Sequence, residues 1–173
     1  GDVKSLTVFN SELIAGGVFT TAGGVSASRI ARWNGTVWQA LGTGMNNNGD
    51  VDSLTVFSSQ LIAGGAFTTA GGVSANYIAR WNGSVWQALG SGMNSNGTVL
   101  ALTVFNTELI AGGAFSTAGG VSASRIARWN GTAWQPLSSG VNGNVDSLAV
   151  YSAGLIVGGA FTTAGAVSLN YIA

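Results

Sequence analysis

The side chains with chemistry to offer recur at fixed intervals. Arg32, Arg80 and Arg128 each stand one position before a tryptophan, and the tryptophans come in pairs: Trp33 with Trp38, Trp81 with Trp86, Trp129 with Trp134. A guanidinium in every repeat could ligate an anion. The plainer expectation is that the long stem covers the adjoining indole or a neighbouring sheet while the fork bonds carbonyls or a carboxylate. Paired indoles could be sugar-stacking platforms, but an Asn-Gly turn between them, if two residues long, pairs Thr36 with Trp33 and Trp38 with Ala31 and sends both rings to one sheet face. Core packing is the expectation there.

Acid–base chemistry finds little to work with. The carboxylates are Asp2, Glu12, Asp50, Asp52, Glu108 and Asp146, and no pair recurs at a constant spacing. The chain of 173 residues contains no His and no Cys. It therefore lacks the side chain that titrates naturally near neutral pH, a disulfide framework, and the usual zinc or haem ligands. We expect no enzyme, no metal and no cofactor. Asp50 and Asp52 follow Asn46-Asn47-Asn48 in an oxygen-rich loop that hints at calcium. The matching positions, however, are Asp2, Thr98 and Asn144 for the first and Lys4, Leu100 and Asp146 for the second.

Asn34-Gly35-Thr36, Asn82-Gly83-Ser84, Asn96-Gly97-Thr98 and Asn130-Gly131-Thr132 match the glycosylation sequon, although turn chemistry already accounts for three of them. The Gly-Gly loops such as Ala70-Gly71-Gly72-Val73 resemble phosphate cradles only superficially, because no helix follows and no Lys is near. Charged residues are 7 % of the chain and balance to zero, far below the roughly 25 % of ordinary domains. Nucleic acid is excluded as a partner on that ground. No apolar run approaches the roughly 18 residues of a membrane span, so membrane insertion is not expected.

The elements that carry these residues follow from an internal repeat. Leu13-Ile14-Ala15-Gly16-Gly17 returns at Leu61, at Leu109 and, as Leu-Ile-Val-Gly-Gly, at Leu155, at intervals of 48, 48 and 46 residues. Such a period signals a solenoid, propeller or array. The second copy reads as four strands: Val51 to Phe57, Leu61 to Phe67, Tyr77 to Trp81 and Val85 to Leu89. No stretch keeps a helical period. Asn-Gly makes strands three and four a tight hairpin. Pro136 falls in a fourth strand and requires that strand to be an edge. Four-stranded antiparallel units that bury both faces predict an all-β fold, a partial β-propeller of about 3.6 blades of 46 to 48 residues. We expect one repeat array over 1–173, with blades at 3–50, 51–98 and 99–144 and a partial blade at 145–173. Strand one is expected innermost and strand four at the rim.

The order of an apolar first strand, Gly64-Gly65, Trp81 and Trp86 resembles the Kelch-type repeat. The string A-G-G-x-F-[TS]-T-A-G-G-V-S-A with I-A-R-W-N-G-[TS]-x-W-Q-x-L is similar to propeller repeats of large secreted or surface-anchored bacterial proteins and of fungal cortical polarity markers. The resemblance implies an extracellular or cell-surface setting. A longer period is also visible: Ser28-Arg29 and Ser124-Arg125 with Glu12 and Glu108 mark odd copies, whereas Asn76-Tyr77 and Asn170-Tyr171 with Gln60 or Gly154 mark even ones. Duplication of a two-blade unit, and an even blade total, follow.

Three and a half blades leave apolar faces bare. Either further blades of a longer protein or other copies of the chain are expected to cover them. Functionally the sequence reads as a non-catalytic scaffold or interaction module, an excerpt of a larger protein. A lectin-like propeller is the alternative. Any protein or glycan ligand is expected on the face carrying the long connections, through Thr20, Thr21, Asn46, Asn47, Thr68, Thr69, Asn94 and Thr117, because functional contacts concentrate on loops held by a rigid scaffold.

Overall fold

The computed structural model describes residues 1–46, 49–94 and 97–173. Asn47 and Asn96 lie outside the described residues. Every regular element is a strand. The first copy contains β1 (Val3–Phe9), β2 (Glu12–Gly17), β3 (Thr21–Ala22), β4 (Val25–Ser26), β5 (Ile30–Trp33) and β6 (Trp38–Ala40). The second repeats them as β7 (Val51–Phe57), β8 (Gln60–Gly65), β9 (Thr69–Ala70), β10 (Val73–Ser74), β11 (Ile78–Trp81) and β12 (Trp86–Ala88). In the third they are β13 (Val99–Phe105), β14 (Glu108–Gly113), β15 (Thr117–Ala118), β16 (Val121–Ser122), β17 (Ile126–Trp129) and β18 (Trp134–Pro136). The fourth holds β19 (Val145–Tyr151), β20 (Gly154–Gly159), β21 (Thr163–Ala164) and β22 (Val167–Ser168).

Each complete copy is a four-stranded antiparallel sheet, ordered β1-β2-β5-β6 in the first. The fourth copy pairs β19 with β20, and its third strand is reduced to a bridge between Gly158 and Ile172. Pro136 sits in β18, an edge strand, where its missing N–H costs no ladder bond. Two compact units, Gly1–Leu89 and Gly90–Ala173, each contain two copies.

Two features depart from the sequence reading. The connection between the second and third long strands is not an open loop, because β9 and β10 form a small hairpin of their own, closed by Gly71 and Gly72 at φ 61° and 82°. Six strands rather than four therefore fill a period. The Asn-Gly turn is also longer than two residues. Trp33 pairs directly with Trp38, leaving the four residues 34–37 as the connection. Only Gly35 takes a positive φ; Asn34 instead uses its side chain, whose Oδ1 accepts from the N–H groups of Thr36 and Val37 at 3.0 Å each. The asparagine is an Asx-turn acceptor here rather than a left-handed residue. The conclusion about the rings survives, since directly opposed residues share a face.

Register assigns two faces to each blade. Leu54, Val56, Leu61, Ala63, Ala79, Trp81 and Trp86 point one way, the tryptophan face; Phe57, Ile62, Ile78 and Arg80 point the other, the arginine face. Within the first unit, Phe9, Ile14 and Ile30 of the first blade's arginine face pack in one core with Leu54, Leu61, Trp81 and Trp86 of the second blade's tryptophan face. The second unit repeats the scheme, with Ile110, Ile126 and Phe105 against Leu148, Leu155 and Val157. In the first unit β1 runs beside β7, so the first strands of adjacent blades occupy the inner position.

The Gly-Gly pair has a different reason from the turn glycines. A Cβ on Gly65 would run into the backbone carbonyl of Asp50, and one on Gly16 into the Val51 side chain of the next blade. The second glycine lets the entering chain lie on its own blade, and the first lets the neighbouring blade close in.

Candidate functional site

The connection from one blade to the next is laced onto the small hairpin of the blade it enters. Met45 bridges Ala70, Asn46 N–H donates to the Thr69 carbonyl at 3.2 Å, and Gly71 N–H donates to the Gly44 carbonyl at 2.8 Å. The Asn46 side chain locks the join: its Oδ1 accepts from the N–H groups of Thr68 at 2.9 Å and Thr69 at 3.2 Å, while Nδ2 donates to Thr68 Oγ1 at 3.4 Å. Asn94 Oδ1 accepts from Ser116 and Thr117 N–H at 3.0 Å each. Asn142 accepts from Thr162 and Thr163 N–H at 2.8 and 2.9 Å and donates to Thr162 Oγ1 at 2.9 Å.

Of the residues expected to meet a ligand, the structure thus brings Asn46 together with Thr68 and Thr69, and Asn94 with Thr117, as clips between connection and hairpin. Thr20 and Thr21 are exposed beside the first hairpin, and Asn47 lies outside the described residues. Sequence reasoning missed Asn142. Its signal was present, since Gly44-Met45-Asn46, Gly92-Met93-Asn94 and Gly140-Val141-Asn142 keep a spacing of 48 even where the overall period shortens to 46.

Replacing Asn46 with Ala removes three hydrogen bonds and leaves two amides seeking acceptors. We expect a loss of about 1–3 kcal/mol and a melting temperature lower by several degrees. Asn46→Asp, which keeps the accepting oxygen, is expected to retain most of that stability. Calorimetric melts of the two variants check both statements.

The other recurring groups are also engaged. Trp86 Nε1 donates to the buried Leu41 carbonyl at 2.9 Å, and the paired rings lie 5.4 to 5.6 Å apart at 52° to 57° in all three complete blades. Trp81 and Trp86 are 7 % and 3 % exposed, which leaves no ring face free for a sugar. Arg32 donates to Glu12 at 3.2 Å and Arg128 to Glu108 at 3.1 Å, each across its own blade. Half-exposed pairs of this kind contribute at most about 1 kcal/mol. The second copy carries Gln60 in place of the glutamate, and the Nε of Arg80 is buried without a hydrogen bond.

Asp50 and Asp52 face a cation from the chain itself. Lys4 Nζ donates to Asp52 at 2.6 Å and to Asp50 at 2.9 Å, joining the inner strands of the first two blades. The hydrogen bond to Asp52, above the other contributions, raises the lysine pKa from its ordinary value. Lys4 and Asp52 are both the extra residue of a bulge at the start of the inner strand, which turns them toward each other.

The remaining concavity of note in the first unit is a groove of about 480 Å³ lined by Gly42, Thr43, Val73, Ser84, Trp86 and Gln87. Beside it each small hairpin exposes a valine: Val25, Val73, Val121 and Val167 are 41 % to 58 % exposed.

Repeated antiparallel four-stranded sheets whose opposite faces pack on their neighbours define a β-propeller repeat protein. A family model described as a domain of unknown function (DUF5122) beta-propeller matches residues 59–83, from the first tight turn of the second blade to its Asn82-Gly83 turn. No curated protein matches the chain.

Proposed function

We propose that the chain is a non-catalytic propeller scaffold or interaction module belonging to a secreted or cell-surface protein. One observation carries this reading: the asparagines, tryptophans and two of the three strand arginines that recur by blade bond within a blade or across the join to its neighbour. The repeat therefore spends its polar groups on assembly, while its exposed recurring side chain is the apolar valine of the small hairpin. An apolar side chain in a polar surround suits a protein surface better than it suits acid–base chemistry.

A glycan array tests this reading against the lectin-like alternative. The expected result is no retained glycan. Binding competed by free sugar and lost in Gln87→Ala, which faces the Trp86 groove, would replace the scaffold reading with a lectin.

A further inference from the structure

The tryptophan face of the first blade is open in a way that its equivalent in the second is not. Leu6 is 59 % exposed whereas the matching Leu54 is 7 % exposed. Trp33 and Trp38 are likewise only half-buried. At the other end, the arginine face of the fourth blade shows Tyr151 at 76 % and Ile172 at 62 %, whereas the matching Phe9 and Ile30 are at 6 % and 0 %. The internal joints show what such faces take. In both units an arginine face packs on the tryptophan face of the following blade.

A polar detail agrees. Inside the first unit Leu54 N–H, on the inner edge, donates to Ser5 Oγ of the preceding blade at 3.0 Å. The matching acceptor position is Ala101 in the third blade but returns to serine at Ser147 in the fourth, where it is exposed. The donor it would meet is the equivalent edge amide, that of Leu6 on another first blade.

We propose that these two faces bind each other between copies of this chain, head to tail, with Tyr151, Ile156 and Ile172 of one copy on Leu6, Val8 and Leu13 of the next. The proposal deepens the scaffold reading by naming the partner as a second copy. It rests on that reading, but a monomeric chain would overturn the contact alone, whereas glycan binding would overturn the reading alone. Such a contact is heterologous, so a pair still offers one face of each kind and further copies add or the set closes.

Sedimentation of the 173-residue chain against concentration is the test. We expect species larger than a monomer by about 10 μM. Leu6→Asp and Tyr151→Asp, both at exposed positions that leave the fold intact by circular dichroism, are each expected to raise the association midpoint at least about tenfold. Mixed together, the two variants retain one good face of each kind and are expected to stop at a pair. A wild-type chain that stays monomeric, a mixture that stays monomeric, or association blocked by Leu6→Asp but untouched by Tyr151→Asp would each overturn the head-to-tail contact, the last by showing a symmetric one.

Discussion

Trp86→Ala is expected to cost about 3–5 kcal/mol, while Trp38→Ala, the same residue in the same repeat position, costs less than half as much in the monomer. The difference comes from surroundings, not from the local sequence. Trp86 is 3 % exposed, donates its indole N–H to the Leu41 carbonyl, and lies under the connection arriving from the first blade, where Gly42 leaves room for the rings. Its removal opens a cavity between two blades and orphans a buried carbonyl. Trp38 is half-buried on a face that no preceding blade of this chain covers. Thermal melts of the two variants at a concentration that keeps the chain monomeric measure the contrast, with a drop of about 10 °C or more for Trp86→Ala. Equal losses at the two positions would show that the indole acts through its own hairpin and not through the joint.

Gly65→Ala is expected to be comparably damaging although it adds a single methyl group. The new Cβ would meet the backbone carbonyl of Asp50, and neither partner is a side chain that can swing away. Gly65 also pairs with Val51 in the inner ladder and donates its N–H to the Tyr77 carbonyl at 3.0 Å, so moving it disturbs both neighbouring strands. We expect a loss of about 3 kcal/mol. Gly158→Ala provides the control, because the atom first met there is Ser147 Oγ, the end of a rotatable side chain. Its melting temperature should fall much less. The reverse order would place the requirement for Gly-Gly in chain flexibility instead of in close approach.

The candidate site divides along similar lines. That Asn46 and Asn94 matter was visible in their recurrence. Their task was not, because an asparagine in a Gly-rich connection has the same local pattern whether it meets a ligand or the amides of a hairpin 22 residues away. The Asn-Gly pair announced a hairpin but not its length, since Asn34 can serve either through a left-handed backbone or through its side-chain oxygen, and the direct pairing of Trp33 with Trp38 selected the latter. The small hairpins were hidden for a related reason. Two-residue strands such as Thr69–Ala70 and Val73–Ser74 are too short to display a period, and the bridge from Met45 helps to hold the first of them.

By itself the sequence determined the class of fold, the long strands of each blade and the edge position of Pro136. These depend on period-two patterning, turn residues and a repeat interval, all of which are properties of contiguous residues. Tertiary structure alone decided which of the identical residues are buried, which asparagines are bonded across a joint, and that Lys4 reaches Asp50 and Asp52. Burial and hydrogen bonding at those positions depend on which face of the next blade arrives and in what register. Near-identical repeats spell the same local pattern whether or not a neighbour covers it.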